Sequence, residues 1–254
     1  MKVFEGYPLR KILKREQALM WVLSPIVMQI VVTFLLTFYV IIVNRDVIQN
    51  FASETELMSA LEPVINLGSS LGTVMGLVFL TIVIIWRKIP LVNRKQLTKD
   101  EWKVIPGLSK KDWRFLSWYI PVSYVIYILG NYILTSIFGE AEAINQQGIE
   151  ELVGSTPILL MFLMVVIAAP IAEEWLFRGL ILFRHNSLEA SWLAVIVSSV
   201  LFGLIHVPTD IPSAFSYIGM GFLFAYAAKQ TRSVEAGIVY HMLNNLLGFI
   251  ALYQ

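Results

Sequence analysis

Residues 17–44 contain no charged side chain, and neither do residues 63–86 or 115–139. Each run is longer than the roughly 20 residues an α-helix needs to cross the hydrocarbon core of a bilayer. Helices can hide such runs in lipid because they satisfy their backbone hydrogen bonds internally. A fourth run, 152–172, stops at two glutamates and resumes at Trp175. Three shorter ones occupy 190–205, 211–228 and 236–253, the last interrupted only by His241. The pattern predicts an all-α polytopic membrane protein of about seven transmembrane helices, within a range of six to eight. The fifth run, at 16 residues, is short for a span. Residues 1–150 would supply an N-terminal cytoplasmic segment and helices 1–3, and residues 151–254 helices 4–7, in one integrated membrane domain. The first run is too long for the apolar part of a signal peptide and lacks a small-residue cleavage site, so helix 1 is expected to be retained.

Composition agrees. Charged residues make up 15% of the chain, against about 25% in an ordinary soluble domain. That excludes a disordered chain and argues against a soluble enzyme. A net charge of +1 gives no field that would attract nucleic acid, and none is expected as a partner. The absence of cysteine excludes disulfides, thiolate zinc sites and cysteine nucleophiles.

Loop charge sets the orientation. Lys2, Arg10, Lys11, Lys14 and Arg15 precede helix 1, and nine basic residues lie from Arg87 to Arg114. Arg178 and Arg184 follow helix 4, and Lys229 and Arg232 follow helix 6. With the N-terminus cytoplasmic, 18 of the 19 basic residues fall on the inner side, and only Arg45 lies outside. The opposite side carries Asp46, Glu54, Glu56, Glu62, Glu140, Glu142, Glu150, Glu151 and Asp210.

Several features have structural readings. Gly68, Gly72 and Gly76 recur every four residues and predict close helix packing on helix 2. Trp102, Trp113 and Trp118 read as interfacial anchors. The basic segment 87–114 reads as a topology determinant rather than a lipid-binding surface. Ser155-Thr156-Pro157 predicts an N-cap followed by proline in the first turn of helix 4. No internal repeat or low-complexity stretch is present. His185, beside Arg184, reads as a loop residue.

Ionisable residues inside spans are functional hypotheses by default, and this chain concentrates them in its second half. Helix 4 carries Glu173, Glu174 and Arg178; helix 5 ends in His206; helix 7 carries His241, Asn244 and Asn245. Glu174 and Arg178 are at i, i+4 and can pair. Glu173, about 100° around the helix, is left available. His241 and Asn245 share a face, as do Phe202 and His206. A carboxylate can take a proton from water, one imidazole can orient that water, and a second imidazole with an amide can donate to an oxyanion. No serine with an adjacent base is evident, so water is the expected nucleophile and a peptide bond the expected substrate. Asn244 reads as a helix–helix polar contact. For Glu174 and Arg178 a structural ion pair and a catalytic role stay open. One difficulty is depth: straight helices would separate His206 from Glu173 by about 10–15 Å along the membrane normal. A high start for helix 5, or a bend of helix 4 at Pro170, would close that gap.

The ordered motifs resemble a known family. Glu173-Glu174-Trp175-Leu176-Phe177-Arg178 reads E-E-x-x-x-R, Phe202 to His206 reads F-x-x-x-H, and His241 with Asn245 reads H-x-x-x-N. On successive hydrophobic segments they resemble the CAAX protease and bacteriocin-processing (CPBP, also called Abi) family of intramembrane endopeptidases, over about residues 157–249. The resemblance implies Glu173 as general base assisted by His206, His241 and Asn245 as the oxyanion hole, and Glu174 with Arg178 in support. It further implies a membrane-associated peptide or protein substrate, in bacteriocin or signal-peptide processing, immunity, or trimming of CAAX-type C-termini. A small, cysteine-free, seven-span chain is more similar to the bacterial members, in the plasma membrane. No cofactor is expected. Glu173, His206 and His241 would be the ligands if zinc were used, although helical zinc proteases usually bring two histidines from one helix at i, i+4.

Two other classes remain. A proton-coupled transporter would also bury Glu, His and Asn, but no repeat relates the halves. A non-catalytic immunity or scaffold protein would keep its phenotype with glutamine at position 173.

Overall fold

The computed structural model describes residues 21, 23–51, 53–87, 108–139, 143–183 and 190–254. Outside these lie Lys2, Arg10, Lys11, Lys14 and Arg15, the segment 88–107 with Trp102, Glu140 and Glu142, and Arg184 and His185.

The described residues form helices and connecting turns. They are α1 (Ser24–Val43), a short α2 (Arg45–Ile48), α3 (Glu54–Arg87), α4 (Lys110–Phe138) and α5 (Ile144–Leu152). The catalytic-motif half follows as α6 (Ile158–Leu182), α7 (Trp192–Ile205), α8 (Ile211–Thr231) and α9 (Val234–Leu252). Each of the seven expected segments is helical. Five of them, α1, α3, α4, α6 and α8, are long and apolar enough to cross a membrane by length and composition. The other two differ for separate reasons. α7 has 14 residues, about 21 Å against a core of about 30 Å. α9 has 19 residues, but His241, Asn244 and Asn245 dilute its apolar character.

Local sequence explains the boundaries. Ser109 and Asp112 form a capping box at the start of α4. Asp210 and Ser213 do the same for α8, with proline in its first turn. The Ser191 hydroxyl accepts from the Ala194 amide and starts α7. The expectation at α6 needs correction. Its first residue is Ile158, but Pro157 is itself the cap, and no side chain caps it. The Thr156 hydroxyl is buried without a hydrogen-bond partner among the described residues. Ser155 instead accepts from Asn66 Nδ2 of α3 at 2.8 Å.

Polarity is distributed inside out, as a bilayer requires. Ile26, Val27, Ile30, Phe34, Leu35 and Phe38 of α1 are each more than half exposed, whereas Glu174, Arg178 and Ser198 are fully buried. Arg178 therefore drops out of the cytoplasmic charge count; it lies within α6. α1 packs mainly on α3 through the glycine row. A Cβ at Gly68 would sit 2.7 Å from Thr33 Cα, and one at Gly72 or Gly76 would collide with the backbone of Gln29 or Pro25. The second half has an aromatic core: Phe177, Phe202, Phe224 and Tyr240 cluster with Leu116 and Tyr119 of α4.

α6 is not a uniform α-helix. Leu163–Ala168 and Trp175–Leu182 are π-helical, and the α-helical turn between them carries Pro170, Glu173 and Glu174. Such turns recur at functional sites.

Candidate active site

Glu174 and Arg178 anchor the centre. Arg178 Nη1 lies 2.9 Å from Glu174 Oε1, and both side chains are fully buried. Arg178 Nη2 donates to the Gly221 carbonyl of α8 at 2.7 Å. Its guanidinium stands 4.8 Å from the Phe202 ring centroid. The charge is thus compensated three ways where an unpaired one costs several kcal/mol.

The same Glu174 Oε1 accepts from His241 Nδ1 at 3.1 Å. Glu174 is therefore the hinge of the site: it neutralises Arg178 and orients His241. The i, i+4 spacing exposed the first contact, but the second crosses 67 residues of sequence and left no local signal. Room for the carboxylate comes from Gly237 on α9, where a Cβ would collide with Glu174 Oε2. Phe224 stacks on the His241 ring, centroids 4.6 Å apart at 21°.

His206 is fixed from the other side. Its Nδ1 lies 2.7 Å from the Phe202 carbonyl. A carbonyl only accepts, so Nδ1 carries the hydrogen and Nε2 of the neutral ring presents its lone pair. Tyr217 of α8 stacks on the ring at 4.4 Å and 18°. The chain leaves His206 through Val207 at φ +50°, a left-handed conformation rare for a β-branched residue, and Pro208 follows. This turn stops α7 at the site.

The expected depth gap between His206 and Glu173 does not exist. Glu173 Oε2 lies 3.8 Å from His206 Nε2 and 3.9 Å from His241 Nε2. The 14 residues of α7 span about 21 Å, so it ends inside a core of about 30 Å, which accounts for part of the difference. Glu173 Oε2 is buried and has no hydrogen-bond partner among the described residues, while the side chain as a whole is 24% exposed.

Asn245 faces the same space, but one of its amide hydrogens is committed. Nδ2 donates to the Val165 carbonyl, in the first π-helical stretch, at 2.9 Å. Its Oδ1 accepts from Asn244 Nδ2 at 3.2 Å. Asn244 thus contacts its neighbour rather than another helix, contrary to the sequence expectation. Glu173, His206, His241 and Asn245 all line one cavity of about 500 Å³. Tyr217, Phe224, Gly237 and the whole of α5 were not anticipated. Tyr217 and α5 residues also line the cavity.

Zinc was the alternative for Glu173, His206 and His241. Both imidazoles do turn Nε2 toward the carboxylate. However, the described residues include no group of three His, Asp or Glu side chains placed to hold a metal ion. The Oε2–Nε2 separations of 3.8 and 3.9 Å exceed the roughly 3.3 Å between tetrahedral ligands at about 2.0 Å from zinc.

Residues 155–247, which carry this geometry, match the family described as Type II CAAX prenyl endopeptidase Rce1-like. The match covers the segment that carries the three motifs, and over it the chain is similar to CAAX-type endopeptidases. It is 28% identical over 183 residues to the membrane-embedded CAAX protease MroQ of Staphylococcus aureus, covering 68% of each chain. It is 31% identical over 113 residues to the putative membrane peptidase YdiL of Bacillus subtilis, covering 44% of each. The UPF0177 protein YxdF of Lactococcus lactis is 28% identical over 124 residues, which are 45% of this chain and 65% of that one. No solved structure matches. The apolar helices make this a multi-pass membrane protein, and the relatives it resembles include a membrane-embedded protease and a putative membrane peptidase.

Proposed function

We propose that the chain is an intramembrane endopeptidase that hydrolyses a peptide bond of a membrane-associated peptide or protein with water activated by Glu173. The observation that carries the reading is the buried, unpartnered Glu173 Oε2 standing just under 4 Å from two imidazole nitrogens. That spacing is too long for direct hydrogen bonds and suits a bridging water.

The tautomer of His206 gives the water a direction. With Nε2 and Glu173 both accepting, the water donates its two hydrogens to them and aims a lone pair into the cavity. Attack on the scissile carbonyl transfers one proton to Glu173 and forms a tetrahedral oxyanion. His241 holds Nδ1 on Glu174, and a proton on its Nε2 would be offered to that oxyanion; the second hydrogen of the Asn245 amide is the other donor. Collapse breaks the C–N bond, and the proton held by Glu173 passes to the leaving amine. Glu174 and Arg178 position His241 and do not touch the substrate. The reading needs no cofactor.

The test is turnover of quenched fluorescent peptides by purified protein in detergent, beside Glu173→Gln at equal membrane abundance. Turnover that survives the substitution overturns Glu173 as base. Absence of any turnover, with the phenotype preserved by Glu173→Gln, supports a non-catalytic binding role instead.

A further inference from the structure

Each catalytic-half helix contributes to the cavity only from one end. With the N-terminus cytoplasmic, α6 and α8 run inward and α7 and α9 run outward. The lining residues are Glu173 and those before it on α6, Phe202 and His206 at the end of α7, Tyr217 and Met220 in the first half of α8, and His241 to Leu252 on α9. Glu173 and His241, in the inner halves of α6 and α9, mark the floor of the cavity, and the other lining residues of these four helices lie between them and the outer ends. Below them the interior is closed by Phe177, Leu182 and Phe183. Above them the cavity reaches α5, which contributes Gln146 and Ile149, and the last turn of α9. A second chamber of about 740 Å³ adjoins it past Tyr217 and Asn244. That chamber is lined by the outer half of α4 and by Glu150 of α5.

We propose that the site takes its peptide from the outer face of the membrane, through the opening beside α5, and that the peptide is cationic. This rests on the peptidase reading above. Glu173 lies about 22 Å below the first residue of α6 at 1.5 Å per residue, so the peptide enters as an extended strand rather than a folded domain. The outer side carries nine acidic residues against Arg45 alone, and Glu62, Glu150 and Glu151 are exposed there. A focused negative field at the mouth of a low-dielectric cleft raises the local concentration of cations.

The natural absence of cysteine allows a direct test. Gly248 lines the cavity and has open space where a side chain would stand; Ser117 is exposed at the inner end of α4. Gly248→Cys and Ser117→Cys are labelled with a charged, membrane-impermeant thiosulfonate in right-side-out and inside-out vesicles. Gly248→Cys should react at least tenfold faster from outside, and Ser117→Cys the reverse. Gly248→Cys labelled only in inside-out vesicles overturns outer access, whether or not any peptide is cleaved. The same vesicles are then given quenched peptides with one apolar core flanked by lysines or by glutamates, with Glu173→Gln as blank. Lysine-flanked peptide should be cleaved in right-side-out vesicles with a KM at least tenfold lower, and the gap should narrow in high salt. Equal or inverted preference overturns the charge assignment. Cleavage in detergent but never from outside overturns access alone, while no cleavage in detergent strikes the peptidase reading itself.

Discussion

The two halves of the molecule differ in what they add to close helix packing. α1 and α3 meet through Gly68, Gly72 and Gly76, where backbone touches backbone and few side chains intervene. Helices α7 and α8 also touch closely at Gly203 and Gly221, but α6 to α9 add buried polar links: Arg178 to the Gly221 carbonyl, Ser198 to the Phe177 carbonyl, and Glu174 to His241. In lipid, close van der Waals packing and interhelical hydrogen bonds are the two available ways to hold helices together. The first tolerates loss of any one contact; the second places charges where an unpaired one is costly. The proposed site lies in the half that takes the risk.

The sharpest way to break that contrast is at Glu173. Glu173→Gln keeps the shape and removes the base, so hydrolysis should fall by ~10²–10⁴-fold while membrane abundance and thermal unfolding stay unchanged. A fall in abundance matching the fall in turnover would show that this carboxylate is structural after all.

Glu174 should behave differently. Glu174→Gln removes the only carboxylate paired with Arg178 among the described residues and leaves the Gly221 carbonyl and the Phe202 ring, at an expected penalty of up to several kcal/mol, seen as low folding yield. Glu174→Gln with Arg178→Met should recover yield, because both charges leave together. It should not recover turnover, because His241 still lacks its carboxylate. If the double variant regains turnover as well, Glu174 does not orient His241.

In the glycine-packed half the effect should be on stability alone. Gly72→Leu forces α1 away from α3 at about 1–3 kcal/mol. The measured unfolding temperature should drop while turnover per folded molecule changes little. A loss of turnover without a change in unfolding would mean that α1 acts on the site directly, through Gln29, which also lines the cavity.

Smaller still is the strain behind His206. Val207 is about half exposed, so Val207→Asn loses little packing and relieves roughly 1 kcal/mol of left-handed strain. Differential scanning of the two proteins should show a modest rise in stability for the variant. The smallest effect of all is expected from metal removal: a chelator should leave turnover unchanged. Activity lost on chelation and restored by zinc would reverse the reading of Glu173, His206 and His241.

Much of this was legible in the sequence. Uncharged runs located seven helices because length and apolarity suffice for that decision. The i, i+4 pair Glu174–Arg178 was legible because helical spacing alone brings it together. What was hidden depended on distance between helices. Nothing local links Glu174 to His241, or makes Gly237 the space for a carboxylate. The depth of His206 was misjudged because a run of 16 uncharged residues reads as a short span, whereas 14 helical residues ended by Val207 and Pro208 stop partway. α3 begins at Glu54, nine residues before its uncharged run, because charge ends a hydrophobic run without ending a helix. α5 escaped notice because it is short, polar and amphipathic, with Ile149 and Leu152 turned to Met161 and Phe249.

The glycine-seated pairing of α1 with α3 also bears on how the molecule is made. During synthesis this hairpin enters the bilayer while the catalytic segments are still unmade. Its contacts are nearly all between the two helices, so it closes without waiting for the rest of the chain. It is then a ready wall when α6 arrives carrying two carboxylates and a guanidinium. Gln29, Asn66, Ser69 and Thr73 on that wall offer those groups polar company in the interval before α9 delivers His241. The glycine-packed half thus supplies a polar wall of the cavity as well as a scaffold.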